Sequence, residues 1–83
     1  MNFGQALEEL KAGKLVAREG WNGKGMWIAI GVTTGIQRLN LVKFDVDFIR
    51  PCLVTRDAQG LLVPGWLASQ TDILAEDWVV VPG

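Results

Sequence analysis

The sequence predicts an α+β domain: an N-terminal helix packed on a mainly antiparallel sheet of about five strands, with a short helical turn before the last strand. Three observations predict it. Apolar residues at helical spacing open the chain, at Phe3, Ala6, Leu7 and Leu10. Beyond Gly13 the hydrophobic segments are short and rich in Val and Ile, as strands are. Two of the turns between them, Asn22-Gly23 and Arg56 to Gly60, carry hairpin chemistry.

Taken in order, Gln5, Glu8, Glu9 and Lys11 give the first helix its polar side, and Gly13 sits where a helix-ending glycine belongs. Leu15 to Arg18 reads as a short strand. Glu19 to Gly25 is a glycine-rich turn, because Asn22 and Gly23 both tolerate positive φ. Met26 to Ile30 follows as a largely buried strand, and Gly31 to Gly35 reads as a loop. Between Ile36 and Arg50 alternation and runs are mixed, so a strand and an irregular connector both fit. Cys52 to Thr55 and Leu61 to Val63 form two strands of a hairpin around Arg56 to Gly60, and Pro64-Gly65 ends the second. Ser69 or Thr71 caps a single helical turn over Asp72 to Ala75, with Ser69 and Asp72 at capping-box spacing. Trp78 to Val81 is the closing strand.

The 83 residues make a single domain, 1–83, without room for a second core. At this size folding buries only about 63% of the unfolded surface. Yet 49% of the residues are hydrophobic and four are tryptophan, which points to apolar surface in a subunit interface or ligand pocket. A net charge of −1 gives no electrostatic footprint for nucleic acid. One cysteine, Cys52, excludes an internal disulfide and a cysteine-cluster metal site. There is no signal-peptide pattern and no apolar run that could span a membrane, so a cytoplasmic setting is expected.

Catalysis has few groups to draw on. The chain has no histidine, which removes the commonest general base and metal ligand together. No nucleophile motif surrounds Ser69, and the glycines of Gly20, Gly23 and Gly25 lead into a strand rather than the helix of a phosphate loop. No catalytic residue, cofactor or metal is therefore expected. Binding is better provided for. Trp21 and Trp27 flank the glycine-rich turn and offer flat faces for a base, with Asn22 for polar edges and Lys24 for an anionic oxygen. Plain packing of either indole, and a purely turn-forming Asn22-Gly23, explain the same residues equally well. The second cluster is Ser69, Gln70, Thr71 and Asp72, four hydrogen-bonding side chains at a helix start where capping needs one. Trp66 and Trp78 read as core.

Three segments carry a resemblance: Met1 to Leu7, Val16 to Met26, and Gly65 to Trp78. Together they resemble the second type of phage Thoeris anti-defence family, over nearly the whole chain. The resemblance implies a sponge that binds and sequesters cyclic nucleotide immune signals, notably glycocyclic ADP-ribose and in some members cyclic dinucleotides, without cleaving them. It also implies a homo-oligomer, typically a tetramer, with pockets at subunit boundaries. Trp21 and Asn22 match one ligand-contacting motif, with Met26 and Trp27 beside them, and Ser69, Gln70, Thr71 and Asp72 match the second. Within the resemblance the chain departs from many relatives between Thr33 and Phe48, where they carry a longer, proline- and tyrosine-bearing segment.

Two other classes of function compete. A small hydrolase of such signals would use a metal held by Asp72 and Asp77. A protein-interaction module would use the tryptophans for contacts and take no small ligand.

Overall fold

The computed structural model describes residues 1–21, 25–33, 42–44 and 51–82. Helix α1 (Phe3–Lys11) starts from Asn2, whose side-chain oxygen accepts the Gln5 N–H at 2.8 Å while the Gln5 side chain accepts the Asn2 N–H at 2.9 Å. This reciprocal pair is a capping box, and it satisfies backbone donors that the helix itself leaves unpaired. Ala6 and Leu10 face inward, and Gly13, at φ 88°, turns the chain out of the helix.

Six strands follow: β1 (Leu15–Arg18), β2 (Trp27–Thr33), β3 (Val42–Phe44), β4 (Cys52–Arg56), β5 (Leu62–Pro64) and β6 (Trp78–Val81), with α2 (Gln70–Leu74) before the last. Five of them lie in the order β5-β4-β2-β1-β6, every neighbouring pair antiparallel, while β3 pairs in parallel with β2. The expected α+β class and mainly antiparallel sheet are therefore what the chain forms. Two details differ. Strand β2 continues through Gly31 to Thr33, which were expected to be loop, because Gly31 pairs with Cys52 on one edge and Val42 on the other. Ladder bonds on both sides override a weak local strand preference. Strand β3 supplies a sixth strand from the ambiguous stretch Ile36 to Arg50; residues 34–41 and 45–50 lie outside the described residues.

The β4–β5 hairpin forms as predicted. The Asp57 carboxylate accepts the Gln59 and Leu61 N–H groups at 3.0 and 2.9 Å, and Gly60 takes φ 84°. An Asx turn of this kind fixes the reversal locally.

The pairing register assigns each side chain to a face. Val16 lies opposite Ile28, and these two pack with Ala6, Leu10 and Trp78 into a core in which none is more than 1% exposed. Burying each large apolar side chain contributes about 1.5–3 kcal/mol. On the face turned away from α1, Ala29 lies opposite Val54 and both are fully buried, while Trp27 lies opposite Arg56. The start of the chain is tied to β6: Trp78 N–H donates to the Met1 carbonyl at 3.1 Å, and the Met1 nitrogen donates to the Trp78 carbonyl at 2.8 Å.

Candidate functional site

Arg18 ends β1 on the helix-bearing face, opposite Trp78 of β6. An arginine pointing toward a core needs carboxylate partners, and it has two. Its Nε donates to Asp77 Oδ1 at 2.9 Å and its Nη1 to Asp72 Oδ1 at 3.0 Å. The Arg18 side chain is 20% exposed and Asp77 34%, so this fork is partly buried. Hydrogen bonds first to Asp77 and then to Asp72 hold the guanidinium charged more firmly than usual. The Asp77 carboxyl is held below its ordinary range chiefly by Arg18. At Asp72 burial pushes the carboxyl up, but the Ser69 N–H, Arg18 and the Ser69 hydroxyl outweigh it and hold the group low. Asp77 also receives the Glu19 N–H on its backbone carbonyl at 3.1 Å. One guanidinium thus joins the glycine-rich segment after β1 to α2 and to the start of β6.

The aromatic residues stack into this junction. Trp21 N–H donates to the Arg18 carbonyl at 3.3 Å, a tight turn that brings the indole back over the core face. There Trp21 meets Trp78 edge-on at 5.6 Å between ring centroids and Trp66 at 6.4 Å, and Trp66 meets Trp78 at 6.2 Å. Phe3 of α1 completes the cluster, 5.3 Å from Trp78. These distances are those of attractive T-shaped and tilted ring pairs. Trp78 is sealed at the centre, 1% exposed, and its Nε1–H donates to the Asp72 carbonyl at 2.9 Å. Trp21 and Trp66 are half-buried. Each therefore combines a packed edge with surface that a ligand can reach.

Helix α2 supplies the polar groups beside the cluster. Ser69 is its N-cap: the Ser69 hydroxyl accepts the Asp72 N–H at 3.1 Å, and Asp72 Oδ2 accepts the Ser69 N–H at 3.1 Å and the hydroxyl at 2.9 Å. Of the four polar residues singled out here, Ser69 and Asp72 are engaged by the cap and by Arg18. Gln70 and Thr71 are exposed, and their side chains have no hydrogen-bond partner among the described residues. Those two are the donors and acceptors that folding does not use.

Trp27 stands apart. It alternates with the core residue Ile28, so its indole leaves the opposite face of the sheet, and it shares no ring contact with Trp21, Trp66 or Trp78. Met26, half-buried, leads into β2. The fold thus gathers Trp21, Ser69, Gln70, Thr71 and Asp72 around one junction and places Trp27 on the other side of the sheet. Asn22 and Lys24 lie outside the described residues.

Two arginines were not singled out by sequence reasoning. Arg18 had a readable signal, an arginine two positions after a buried Val16 in a strand and therefore on the same inward face. Arg56 had none: it reads as a turn residue, and only strand pairing places it beside Trp27 and against Gly25.

A family model of the Thoeris anti-defense 2-like domain matches residues 1–81. The chain belongs to that family. A Thoeris anti-defense 2 protein of Bacillus phage SP01 is similar to it, 37% identical over 98% of this chain and 94% of the relative. The aligned stretch spans 91 positions against the 83 residues here, so the relative has residues that this Thoeris anti-defense 2-like chain lacks. The junction around Arg18, Trp21 and α2 lies wholly within the matched region.

Proposed function

We propose that this Thoeris anti-defense 2-like protein counters Thoeris defence as a sponge. It binds a cyclic nucleotide signal of the glycocyclic ADP-ribose type in the cytoplasm of an infected bacterium and holds it intact. Cyclic dinucleotides fall within the same ligand chemistry.

The observation that carries this reading is half-buried Trp21 and Trp66 in a cluster whose Trp78 is bonded to α2, the helix that carries the unengaged side chains of Gln70 and Thr71. Flat indole surface binds a base by stacking, and neutral amide and hydroxyl groups bind its edges and ribose without attacking it. The charged groups nearby support retention rather than cleavage. Asp72 and Asp77, the carboxylates a metal-dependent hydrolase would recruit, each accept a hydrogen bond from Arg18 and are held ionised there. Neither is poised as a general acid or base near neutral pH.

The site is proposed to be completed by a neighbouring copy, as in a homotetramer. Leu67 is 88% exposed and Leu74, at the end of α2, 77% exposed, beside the junction where the ligand is placed. Apolar side chains so open to water support association at this edge.

The test is recovery of ligand. Protein incubated with glycocyclic ADP-ribose, freed of unbound ligand and then heated is expected to release the signal chemically unchanged and in stoichiometric amount. Cleaved product in the released fraction would overturn sequestration. Trp21→Ala is expected to weaken binding by about 1–3 kcal/mol while circular dichroism still reports the native sheet.

A further inference from the structure

On the face of the sheet opposite the Arg18 junction, Arg56 occupies an unusual setting. Its Nη1 donates to the Gly25 carbonyl at 2.8 Å, linking the end of β4 to the glycine-rich segment before β2. Glycines stand on two sides of the guanidinium. A Cβ at Gly25 would come within 2.5 Å of Nη1, and one at Gly60 within 3.2 Å of Nη2. Both have positive φ, 80° and 84°, which side-chain-bearing residues rarely adopt. The guanidinium thus lies against backbone on the Gly25 and Gly60 sides, tethered by its bond to the Gly25 carbonyl.

That tether uses one of five N–H donors. Among the described residues Arg56 has no carboxylate partner. The adjacent Asp57 carboxylate is directed into its own turn, accepting Gln59 and Leu61 N–H. Trp27 lies directly across the β2–β4 ladder from Arg56, on the same face. A tethered guanidinium with donors unengaged among the described residues, across the ladder from an indole and next to two glycines without side chains, is the chemistry that takes a phosphate oxygen pair in bidentate fashion.

We infer that Arg56 is an anion-binding residue for a phosphate or pyrophosphate group, with Trp27 as its aromatic neighbour. The inference rests on the sequestration reading for its biological ligand, and names the part of that ligand this face takes. A purely structural tether needs only the bond to Gly25, which a lysine ammonium can also make. The fork is what anion binding adds.

Titration of the isotope-labelled protein with inorganic pyrophosphate, followed by nuclear magnetic resonance, tests it. Saturable shifts of the Arg56 Nε–Hε signal and of the Gly25 and Gly60 amides are expected. Arg56→Gln is expected to weaken pyrophosphate binding about tenfold or more, and Arg56→Lys, which keeps the charge and the tether, by an intermediate factor. No shift at those groups in the parent protein, or equal affinity in parent and Arg56→Gln, overturns the inference. A second titration with glycocyclic ADP-ribose separates the two readings. Tight binding that ignores Arg56→Gln leaves sequestration standing and removes Arg56 from it. Pyrophosphate capture without any cyclic nucleotide binding leaves the anion site and removes the sponge.

Discussion

Arg18 shows how a single side chain can tie distant elements into one junction. Its two ion pairs join residues 54 and 59 positions apart in sequence, and they define where α2 sits relative to Trp21. The pairs also set a pH dependence. Asp72 and Asp77 have folded-state values below their ordinary range. Their contribution to stability is therefore complete above the unfolded carboxylate range, near about pH 4, and is lost as pH falls through the lower folded values. Thermal melts of the parent protein are expected to be level from neutral pH down to about pH 5 and to fall steeply below. Asp77→Asn should melt lower than the parent at neutral pH and lose less on acidification. Superimposed curves for the two proteins would show that the Arg18–Asp77 pair contributes nothing to folding. Legibility was uneven at this scale. The inward position of Arg18 follows from strand alternation, but its two acceptors lie in elements that only folding brings near.

Elements with local rules were readable and elements with non-local partners were not. Helix α1 was legible from Phe3, Ala6, Leu7 and Leu10, and the β4–β5 reversal from Asp57 and Gly60, because the decisive contacts lie within a few residues. The capping box of α2 was legible for the same reason. Strand β3 was only half legible: Ile36 to Arg50 fits a strand or an irregular connector, and its parallel pairing with β2 leaves no local signature that chooses between them. The short helix α2 is a sensitive element: five residues cannot hold helical structure alone, so its cap and its tertiary contacts share the task. Ser69→Ala is expected to cost about 0.5–2 kcal/mol in urea unfolding, and Ser69→Asp, which restores an acceptor, to recover much of it. Equal stability of parent and Ser69→Ala would mean that Arg18 and Trp78 fix α2 without its cap.

At the scale of the whole molecule, the sheet divides the aromatic residues. Trp21, Trp66 and Trp78 gather on the α1 side, while Trp27 and Arg56 share the other. One copy therefore does not present Trp21 and Trp27 to a single ligand; on the sequestration reading, a ligand that touches both must lie between copies. Leu67 and Leu74 provide apolar surface beside the first half-site for such assembly. Sedimentation velocity is expected to show an oligomer for the parent protein and smaller species for a Leu67→Glu, Leu74→Glu double variant, with ligand binding lost in step. A parent protein that sediments as a monomer and still binds would refute the shared pocket.

The amino-acid sequence by itself determined the α+β class, the first helix, the hairpin around Gly60, the capped turn at Ser69 and the family resemblance, because each is written in spacing or local chemistry. Tertiary structure alone decided that Arg18 joins Asp72 to Asp77, that Gln70 and Thr71 are left unengaged, and that Trp21 and Trp27 part company across the sheet. The reason is physical. Which face a strand residue occupies is fixed by its pairing register with segments far along the chain, and a polar group's availability is known only once every competing partner has been placed.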